Sequence, residues 1–134
     1  MIASRAMNPA AEGTVYPRVT FPIEPARVAA FRRLFGQPGG VPPTFVSAAE
    51  FTALAQVIDD PQLKLDFSRV VHGSQEYRYE RPLREGETIA IHTRLESIKV
   101  LGATGFLTIV MEMLDEGGQL VVTARSTMIE RGAS

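Results

Sequence analysis

The sequence predicts an α+β fold in which one curved antiparallel sheet wraps around one central helix. The first indication is that the hydrophobic period changes from about 3.6 residues to 2 after Pro61. The segment before this change is apolar on nearly every side and rich in alanine, as expected of a helix buried in a core. The segments after it are long and strand-like, with turn signals between them. Such strands supply the layer against which the helix is buried.

The composition is that of one globular domain. The chain has 134 residues, of which 45% are hydrophobic and 22% charged, so a core forms without metals or disulfides. Cysteine is absent, which excludes disulfides, thiolate nucleophiles and cysteine zinc sites and fits the reducing cytoplasm, where we expect the protein. The net charge is −1 with no long run of one sign. We therefore expect neither a nucleic-acid partner nor a membrane surface.

The N-terminal segment and the most apolar stretch predict neither a signal peptide nor a membrane-spanning helix. Met1–Gly13 has no continuous apolar block, so we expect a flexible tail there rather than a signal peptide, and a domain over residues 14–131. The most apolar stretch, Phe106–Leu114, is interrupted by Thr108 and Glu112 and is too short to span a bilayer.

The front of the chain predicts a short strand, a short helix and a loop. Thr14–Ile23 is expected to be an irregular strand interrupted by Pro17. Pro25 suits the first position of a helix, and Gly36 suits its end. Between them, apolar side chains recur at helical spacing: Val28, Phe31, Leu34 and Phe35. Gln37–Pro43 is a loop, because its prolines and glycines do not sustain a helix.

The second helix is predicted to be the central one. Ser47 and Glu50 form an S-x-x-E pattern, which predicts a capping box at its start. We expect the helix to be buried on all sides and to end at Asp59, Asp60 and Pro61. Its apolar positions are Ala48, Ala49, Phe51, Ala53, Leu54, Ala55, Val57 and Ile58.

Four long strands are predicted after this helix, and we expect them to follow one another as a meander. They are Val71–Tyr79, Thr88–Val100, Phe106–Leu114 and Leu120–Ile129. The alternation of the second strand shifts by one near Glu96 or Ser97, which predicts a β-bulge. The third is apolar on both faces, as is typical of a central strand, and Asp115–Gly118 predicts a hairpin turn after it.

Three segments carry a family resemblance. Phe31–Gly36 followed by Val41–Phe45 is similar to the approach to a central helix, Val71–Tyr77 contains an "HG-x-Q-E" pattern, and Arg81–Glu87 contains "RPL-x-x-G-D/E". Together they resemble the N-terminal, hydratase-like half of MaoC-like dehydratases, over residues 14 to 131. The resemblance implies a single hot-dog domain.

The resemblance also implies a substrate class and a pairing. Members of this family hydrate trans-2-enoyl thioesters or dehydrate 3-hydroxyacyl thioesters without a metal or cofactor. We therefore expect an acyl-CoA or acyl-ACP (acyl carrier protein) substrate. Two hot-dog units usually pair, which implies a homodimer or a heterodimer with a related hot-dog subunit. In many pairs only one unit carries the catalytic Asp and His.

The family's catalytic pair is missing from this sequence. Hydration needs a base, an acid and N–H donors for the enolate-like oxygen. The family supplies the base and acid from a G-D-x-N-P-x-H loop, whereas the corresponding loop here, Gly36–Gly40, has neither Asp nor His. The only histidines, His72 and His92, have no Asp at the required spacing, and we expect His92 to point outward. Together with this missing pair, the resemblance implies a subunit that forms a wall of the acyl tunnel while a partner supplies the Asp and His. The N–H groups at the start of the central helix remain as candidate donors to a carbonyl oxygen.

The candidate site residues have alternative roles. By resemblance, the substrate-binding residues are Pro43, Thr44, Phe45, His72, Gly73 and Gln75. His72 is a candidate acid or base, or it packs at the start of its strand. Gln75 orients a substrate carbonyl or lines an interface. Glu50 caps its helix, or it is the catalytic carboxylate of a thioesterase, since some hot-dog thioesterases carry one on this helix.

Two further functions remain open besides the hydratase subunit. One is an acyl-CoA thioesterase that uses Glu50, and the other is a non-enzymatic acyl-binding or assembly module. Three methionines belong either to the core or to a flexible acyl tunnel: Met111, Met113 and Met128. A free edge strand favours a dimer in which the sheet continues across the interface.

Overall fold

The computed structural model describes residues 7–36 and 39–132. Its elements are β1 (Val19–Pro22), α1 (Pro25–Phe35), α2 (Val46–Ile58), β2 (Val70–Tyr79), β3 (Thr88–Leu101), β4 (Thr104–Leu114) and β5 (Leu120–Glu130). The strands form one antiparallel five-stranded sheet that packs against α2, so the predicted α+β architecture is confirmed. Within the described ranges, neither helix is long and apolar enough to cross a bilayer.

The strand order differs from the predicted meander. The order across the sheet is β1-β3-β4-β5-β2, so only β3, β4 and β5 follow one another as neighbours. β2 pairs instead with β5, from Val70 opposite Glu130 to Tyr79 opposite Val122. The prediction was wrong at β2 because local turn signals show where a strand ends but not which strand it joins. The connection from β2 to β3 must therefore cross the ends of β5 and β4.

An arginine clasp holds this crossing connection. The Arg81 guanidinium donates to both carboxylate oxygens of Glu87, at 2.7 and 3.0 Å, and lies 3.3 Å from Asp115 in the β4–β5 turn. Glu87 also accepts the Arg84 backbone N–H at 2.6 Å. Because both ends of the connection and the neighbouring hairpin meet at one guanidinium, the "RPL-x-x-G-E" segment has a structural role in this fold.

The core lies between α2 and the inner face of the sheet. Ala49 and Ala53 are fully buried, and their small side chains let the strands approach the helix axis closely. The opposite side of α2 is open, since Phe51, Thr52 and Ala55 are exposed. The expectation that this helix is buried on all sides is therefore wrong for the single chain, because the sheet covers only one side.

The first helix has the predicted ends but only part of the predicted apolar stripe. Pro25 lies at its first turn, and Gly36 closes it with a left-handed φ of 67°. Phe31 packs edge-on against Phe45, with ring centroids 5.4 Å apart. Leu34 and Phe35, however, are exposed, so the last turn of α1 extends beyond the core.

The residues before β1 pack against the sheet from Met7 onward. Met7 is 1% exposed, and Asn8 donates through its backbone and side chain to Leu63 and Gln62. The predicted bulge in β3 is confirmed between Leu95 and Ser97. Beyond it, the Ile98 N–H donates to Glu12 at 2.9 Å.

Met1–Gly13 was predicted to be a flexible tail, but residues 7–13 are packed against the rest of the domain. Met7 and Ala11 pack in the core, while Asn8, Glu12 and Gly13 bind backbone groups of the connection after α2 and of β3. The first six residues of that tail lie outside the described residues.

We expect Arg81→Ala to lower the free energy of unfolding by about 1 kcal/mol, since it removes a bidentate ion pair with Glu87 that lies close to solvent. Burial alone would raise the pKa of Glu87, but hydrogen bonds from Arg81 and the Arg84 N–H lower it. A lowered carboxyl pKa stabilises the fold above the unfolded value of about 4.3, and this contribution is lost as the pH falls through the folded value. The cost of Arg81→Ala should therefore shrink in acid.

Urea denaturation midpoints at about pH 7 and about pH 3 measure this difference. Arg78→Ala is the matched control, because Arg78 reaches Glu80 at 3.8 Å with its own side chain 79% exposed. An equal loss of stability in both variants at neutral pH would contradict the clasp.

Candidate functional site

A pocket of about 280 Å³ lies between α2 and β2. Its lining comes from four elements: Ser47, Glu50, Phe51 and Leu54 of α2, His72, Gln75 and Tyr77 of β2, Met111 of β4, and Ser126 and Met128 of β5. The residues from β4 and β5 are buried, as is Leu54, whereas Phe51, His72 and Gln75 are exposed. The pocket thus has a largely apolar floor and a polar mouth.

The carboxylate of Glu50 lies at the centre of the polar mouth. Tyr77 donates its hydroxyl to one carboxylate oxygen at 2.5 Å, and Gln75 donates its side-chain amide to the other at 3.0 Å. Two residues of an edge strand therefore hold a carboxylate of the central helix over the pocket.

The predicted capping box is wrong. A 3-10 turn over Pro43–Phe45 runs directly into α2, whose N-cap residue is Phe45, and no side chain caps it. Ser47 therefore lies inside the first turn, where its hydroxyl donates to the Thr44 carbonyl at 2.9 Å. Glu50 is consequently too far along the helix to reach the free N–H groups, and its carboxylate is available to β2.

Burial raises the pKa of Glu50, although hydrogen bonds from Tyr77 and Gln75 and the neighbouring His72 act in the opposite direction. Burial also raises the pKa of Tyr77, and the Glu50 carboxylate adds to that effect as hydrogen-bond acceptor and negative charge. The pKa of Tyr79 is raised to about 12, mainly by burial and to a smaller extent by the negative charge of Glu50. The tyrosines therefore stay protonated at neutral pH, and Tyr77 acts as a donor.

A bulge at Gly73 brings the β2 side chains onto one face. His72 lies opposite Met128, but Ser74 lies opposite Thr127, so Gly73 is the extra residue. The alternation therefore shifts by one, and His72 joins Gln75 and Tyr77 on the pocket side. A Cβ at Gly73 would lie 3.0 Å from the Ile129 side chain and 3.3 Å from a backbone oxygen, so the close approach favours glycine.

The structure brings together some of the predicted site residues and separates others. His72, Gln75 and Glu50 line the pocket, and Gly73 forms the bulge. Pro43 and Thr44 are exposed beside the start of α2, where Tyr79 donates to the Pro43 carbonyl. The Phe45 side chain is 2% exposed and packs in the core against Phe21 and Phe31, so it does not line the pocket.

The sequence did not identify Tyr77 and Ser126 as residues that line the pocket. Tyr77 lies two residues beyond Gln75 on β2, and only the position of β2 beside β5 brings it to Glu50. Met111 and Met128 line the pocket floor while remaining buried, whereas Met113 belongs to the core alone. His92 is half-exposed between two buried β3 residues, as expected for an outward side chain.

The pocket combines an apolar space with a positioned carboxylate. Such a cavity suits a small or medium-sized apolar group whose polar end lies at the mouth. The loop where the resemblance implies an Asp and a His has the sequence Gly36-Gln37-Pro38-Gly39-Gly40, and Gln37 and Pro38 lie outside the described residues. Glu50 and His72 are the acid–base side chains that line the pocket within the described ranges, apart from the phenol of Tyr77.

Comparison with known sequences points to one family. The family model described as "FAS1-like, dehydratase domain region" matches residues 24–124. A curated UPF0336 protein of Streptomyces avermitilis is 47% identical over 92 residues, covering 69% of this chain but only 61% of that protein's length. A UPF0336 protein of Leifsonia xyli subsp. xyli is 39% identical over 114 residues, covering 85% of this chain and 73% of that protein.

Solved structures share the fold. A MaoC-like dehydratase superposes with a TM-score of 0.79 at 16% identity, covering 92% of this chain and 43% of that one. A C-terminally truncated HadBC (3R-hydroxyacyl-ACP dehydratase) complex of Mycobacterium tuberculosis gives a TM-score of 0.70 at 16% identity, covering 89% of this chain and 96% of that one. At such identities the likeness concerns the fold, and it confirms the predicted hot-dog arrangement.

We expect Glu50→Gln to raise thermal stability at neutral pH. Because the pKa of Glu50 is raised in the folded protein, its contribution to stability is complete below the unfolded value and is lost as the pH rises through the folded value. The neutral amide removes the burial cost of the charge. The gain should therefore appear near neutral pH and vanish in acid, where Glu50 is protonated.

Differential scanning calorimetry of both proteins across the acid-to-neutral range measures this effect. Glu112→Gln on β4 is the control, since that half-exposed carboxylate pairs with Arg94 on the outer face of the sheet. A lower melting temperature of Glu50→Gln at neutral pH would instead support a purely structural role for Glu50.

Proposed function

The chain belongs to the family of FAS1-like dehydratase regions and to the UPF0336 proteins, and from this we propose that it is an acyl-thioester-binding subunit of an enoyl-thioester hydratase or 3-hydroxyacyl-thioester dehydratase. In this proposal it contributes an acyl pocket, and a related hot-dog chain contributes the catalytic Asp and His. The observation that carries it is a pocket with an apolar floor in a chain whose Gly36–Gly40 loop has neither residue.

The pocket floor supports binding of an acyl chain. Leu54, Met111 and Met128 are buried yet border the cavity, so an acyl group placed there loses its contact with water. Burial of apolar surface contributes roughly 25 cal/mol per Å², and methionine side chains adapt to chains of different shape. The start of α2 borders this cavity through Ser47, so the positive end of the helix dipole lies near a developing enolate oxygen at the mouth.

The edge of the sheet supports pairing with a second hot-dog unit. β2 is the outermost strand, and most of its residues are exposed on both faces. Free strand edges are normally covered or paired. Because β2 also supplies His72, Gln75 and Tyr77 to the pocket, a unit that pairs along β2 would reach the pocket mouth. The likeness to a chain of the HadBC complex supports a partner of the same fold.

We expect the purified chain alone to bind a short enoyl-CoA but not to hydrate it at enzymatic rates. Water addition needs an oriented base and acid, which the proposal assigns to the partner. Loss of absorbance of the conjugated thioester of crotonyl-CoA measures hydration, first with the chain alone and then with a co-purified hot-dog protein that carries the Asp and His. Ordinary enzymatic hydration by the chain alone would contradict the division of roles.

We expect Phe51→Ala to lower kcat/KM of the assembled enzyme by about 10-fold, because it removes an aromatic wall at the mouth of the pocket. Phe35→Ala is the matched control: Phe35 is 61% exposed on α1, against 65% for Phe51. Both variants should fold normally, so equal activities would show that the pocket is not used. Failure of the chain to bind any acyl-CoA, alone or assembled, would favour the non-enzymatic assembly module.

The position of Glu50 favours thioester hydrolysis as a second candidate function. A carboxylate held by Tyr77 and Gln75 at the pocket mouth is suited to take a proton from water as that water attacks the thioester carbonyl. The carbon–sulfur bond then breaks, and the departing thiolate is protonated, with His72 as the nearby candidate acid. Glu50 would have this role in the chain's own pocket, without a partner's Asp and His.

If the chain is a thioesterase, Glu50→Ala should reduce thiol release from acyl-CoA by at least about 100-fold, which is the usual contribution of a general base. A colorimetric thiol assay measures release, and calorimetry verifies that the variant is folded. Wild-type protein that releases no thiol, or a variant that releases it at the wild-type rate, would exclude this candidate function.

We also propose that the protein is cytoplasmic, which is consistent with its lack of cysteine.

A further inference from the structure

We propose that Glu50 makes the pocket selective for acyl groups that carry a hydrogen-bond donor, such as a hydroxyl, over unsubstituted chains of the same length. This inference rests on the proposed function, since it takes an acyl thioester as the ligand of the pocket. It assigns Glu50 a role in specificity, which neither hydration by a partner's Asp and His nor the fold requires.

The carboxylate retains free acceptor capacity. Tyr77 donates to one of its oxygens and Gln75 to the other, one hydrogen bond each. An ionised carboxylate has about four acceptor positions, so each oxygen can accept a second hydrogen bond. Because Glu50 lines the cavity, a hydroxyl on a bound acyl group can supply one of these bonds.

The surroundings fix the carboxylate in place instead of neutralising it. Neither the Tyr77 phenol nor the Gln75 amide carries a positive charge, and the side chain of His72 on the same strand is exposed to solvent. Arginine and lysine are absent from the pocket lining, within the ranges that the structure describes. An ionised Glu50 therefore depends on hydrogen bonds and on water at the mouth for its solvation.

An acyl chain without a donor would displace this water and would form no hydrogen bond to the carboxylate in its place. Leaving a charged group without hydrogen bonds costs more free energy than leaving a neutral polar group without them. A hydroxylated chain restores the lost hydrogen bond. Sites built to bind a hydroxyl discriminate strongly against analogues that lack it, whereas apolar pockets separate such ligands weakly. The apolar floor alone would therefore favour the plain chain, and Glu50 reverses this preference.

Isothermal titration calorimetry with three thioesters of equal chain length tests the inference: 3-hydroxybutyryl-CoA, 4-hydroxybutyryl-CoA and butyryl-CoA. At about pH 8, where carboxyls are ionised, at least one hydroxylated ligand should bind about 10-fold or more tightly than butyryl-CoA. The ratio of dissociation constants is the readout, because contributions of the shared CoA cancel in it. Mass spectrometry of the recovered ligand confirms that no thioester is cleaved during the titration.

Glu50→Leu should abolish or invert this ratio, since leucine matches the apolar floor and accepts no hydrogen bond. Glu50→Gln retains one acceptor oxygen and should keep a reduced preference. Glu76→Leu is the control, because Glu76 is an exposed carboxylate on β2 whose side chain points away from the pocket. Its loss removes a negative charge from the same strand but should leave the ratio unchanged.

The outcomes separate the inference from the function on which it rests. Equal binding of the three ligands by the wild type, or an unchanged ratio in Glu50→Leu, would overturn the selectivity and leave the acyl-binding function intact. Failure of all three ligands to bind, both to the chain alone and to its assembly with a hot-dog partner, would overturn both.

Discussion

The pairing of β2 with β5 is the constraint on which the candidate site depends. Had β2 lain beside β3, as a simple meander requires, its side chains would not face the first turns of α2. The observed order places Gln75 opposite Ser126 and Tyr77 opposite Ala124, on the inner face of the sheet. The two donors thereby reach Glu50, and the cavity between helix and strand acquires its polar mouth. The Arg81 clasp contributes by fixing the connection that makes this order possible.

Local features of the fold could be predicted because their causes lie within a few residues. Pro25 and Gly36 set the ends of α1 through their own backbone preferences, and the shifted alternation after Leu95 revealed the bulge in β3. The strand order and the packing of Met7 depend on contacts far away in sequence. A pattern of periods and turns carries no information about those contacts.

Glu50 shows why the site was harder to predict than the fold. The S-x-x-E spacing offered a sufficient local explanation, namely a cap, and that explanation hid the tertiary partners 25 and 27 residues away. The deciding feature was the turn at Pro43–Phe45, which moves the helix start ahead of Ser47. His72 and Gln75 were found through the family resemblance, whereas the bulge at Gly73 that aligns them had no clear signal in the alternation.

Folding alone gives no reason for a carboxylate at this place. Burial opposes its ionisation, and a leucine would pack against Leu54 and Met128 without that cost. Groups that cost stability in a cavity are typical of sites where a ligand supplies the missing interaction. In the proposed hydratase or dehydratase subunit, the loop without an Asp or a His therefore does not make this chain a passive wall. A subunit that leaves the proton transfers to a partner would still select its acyl group, and the polar mouth of this pocket is suited to that selection.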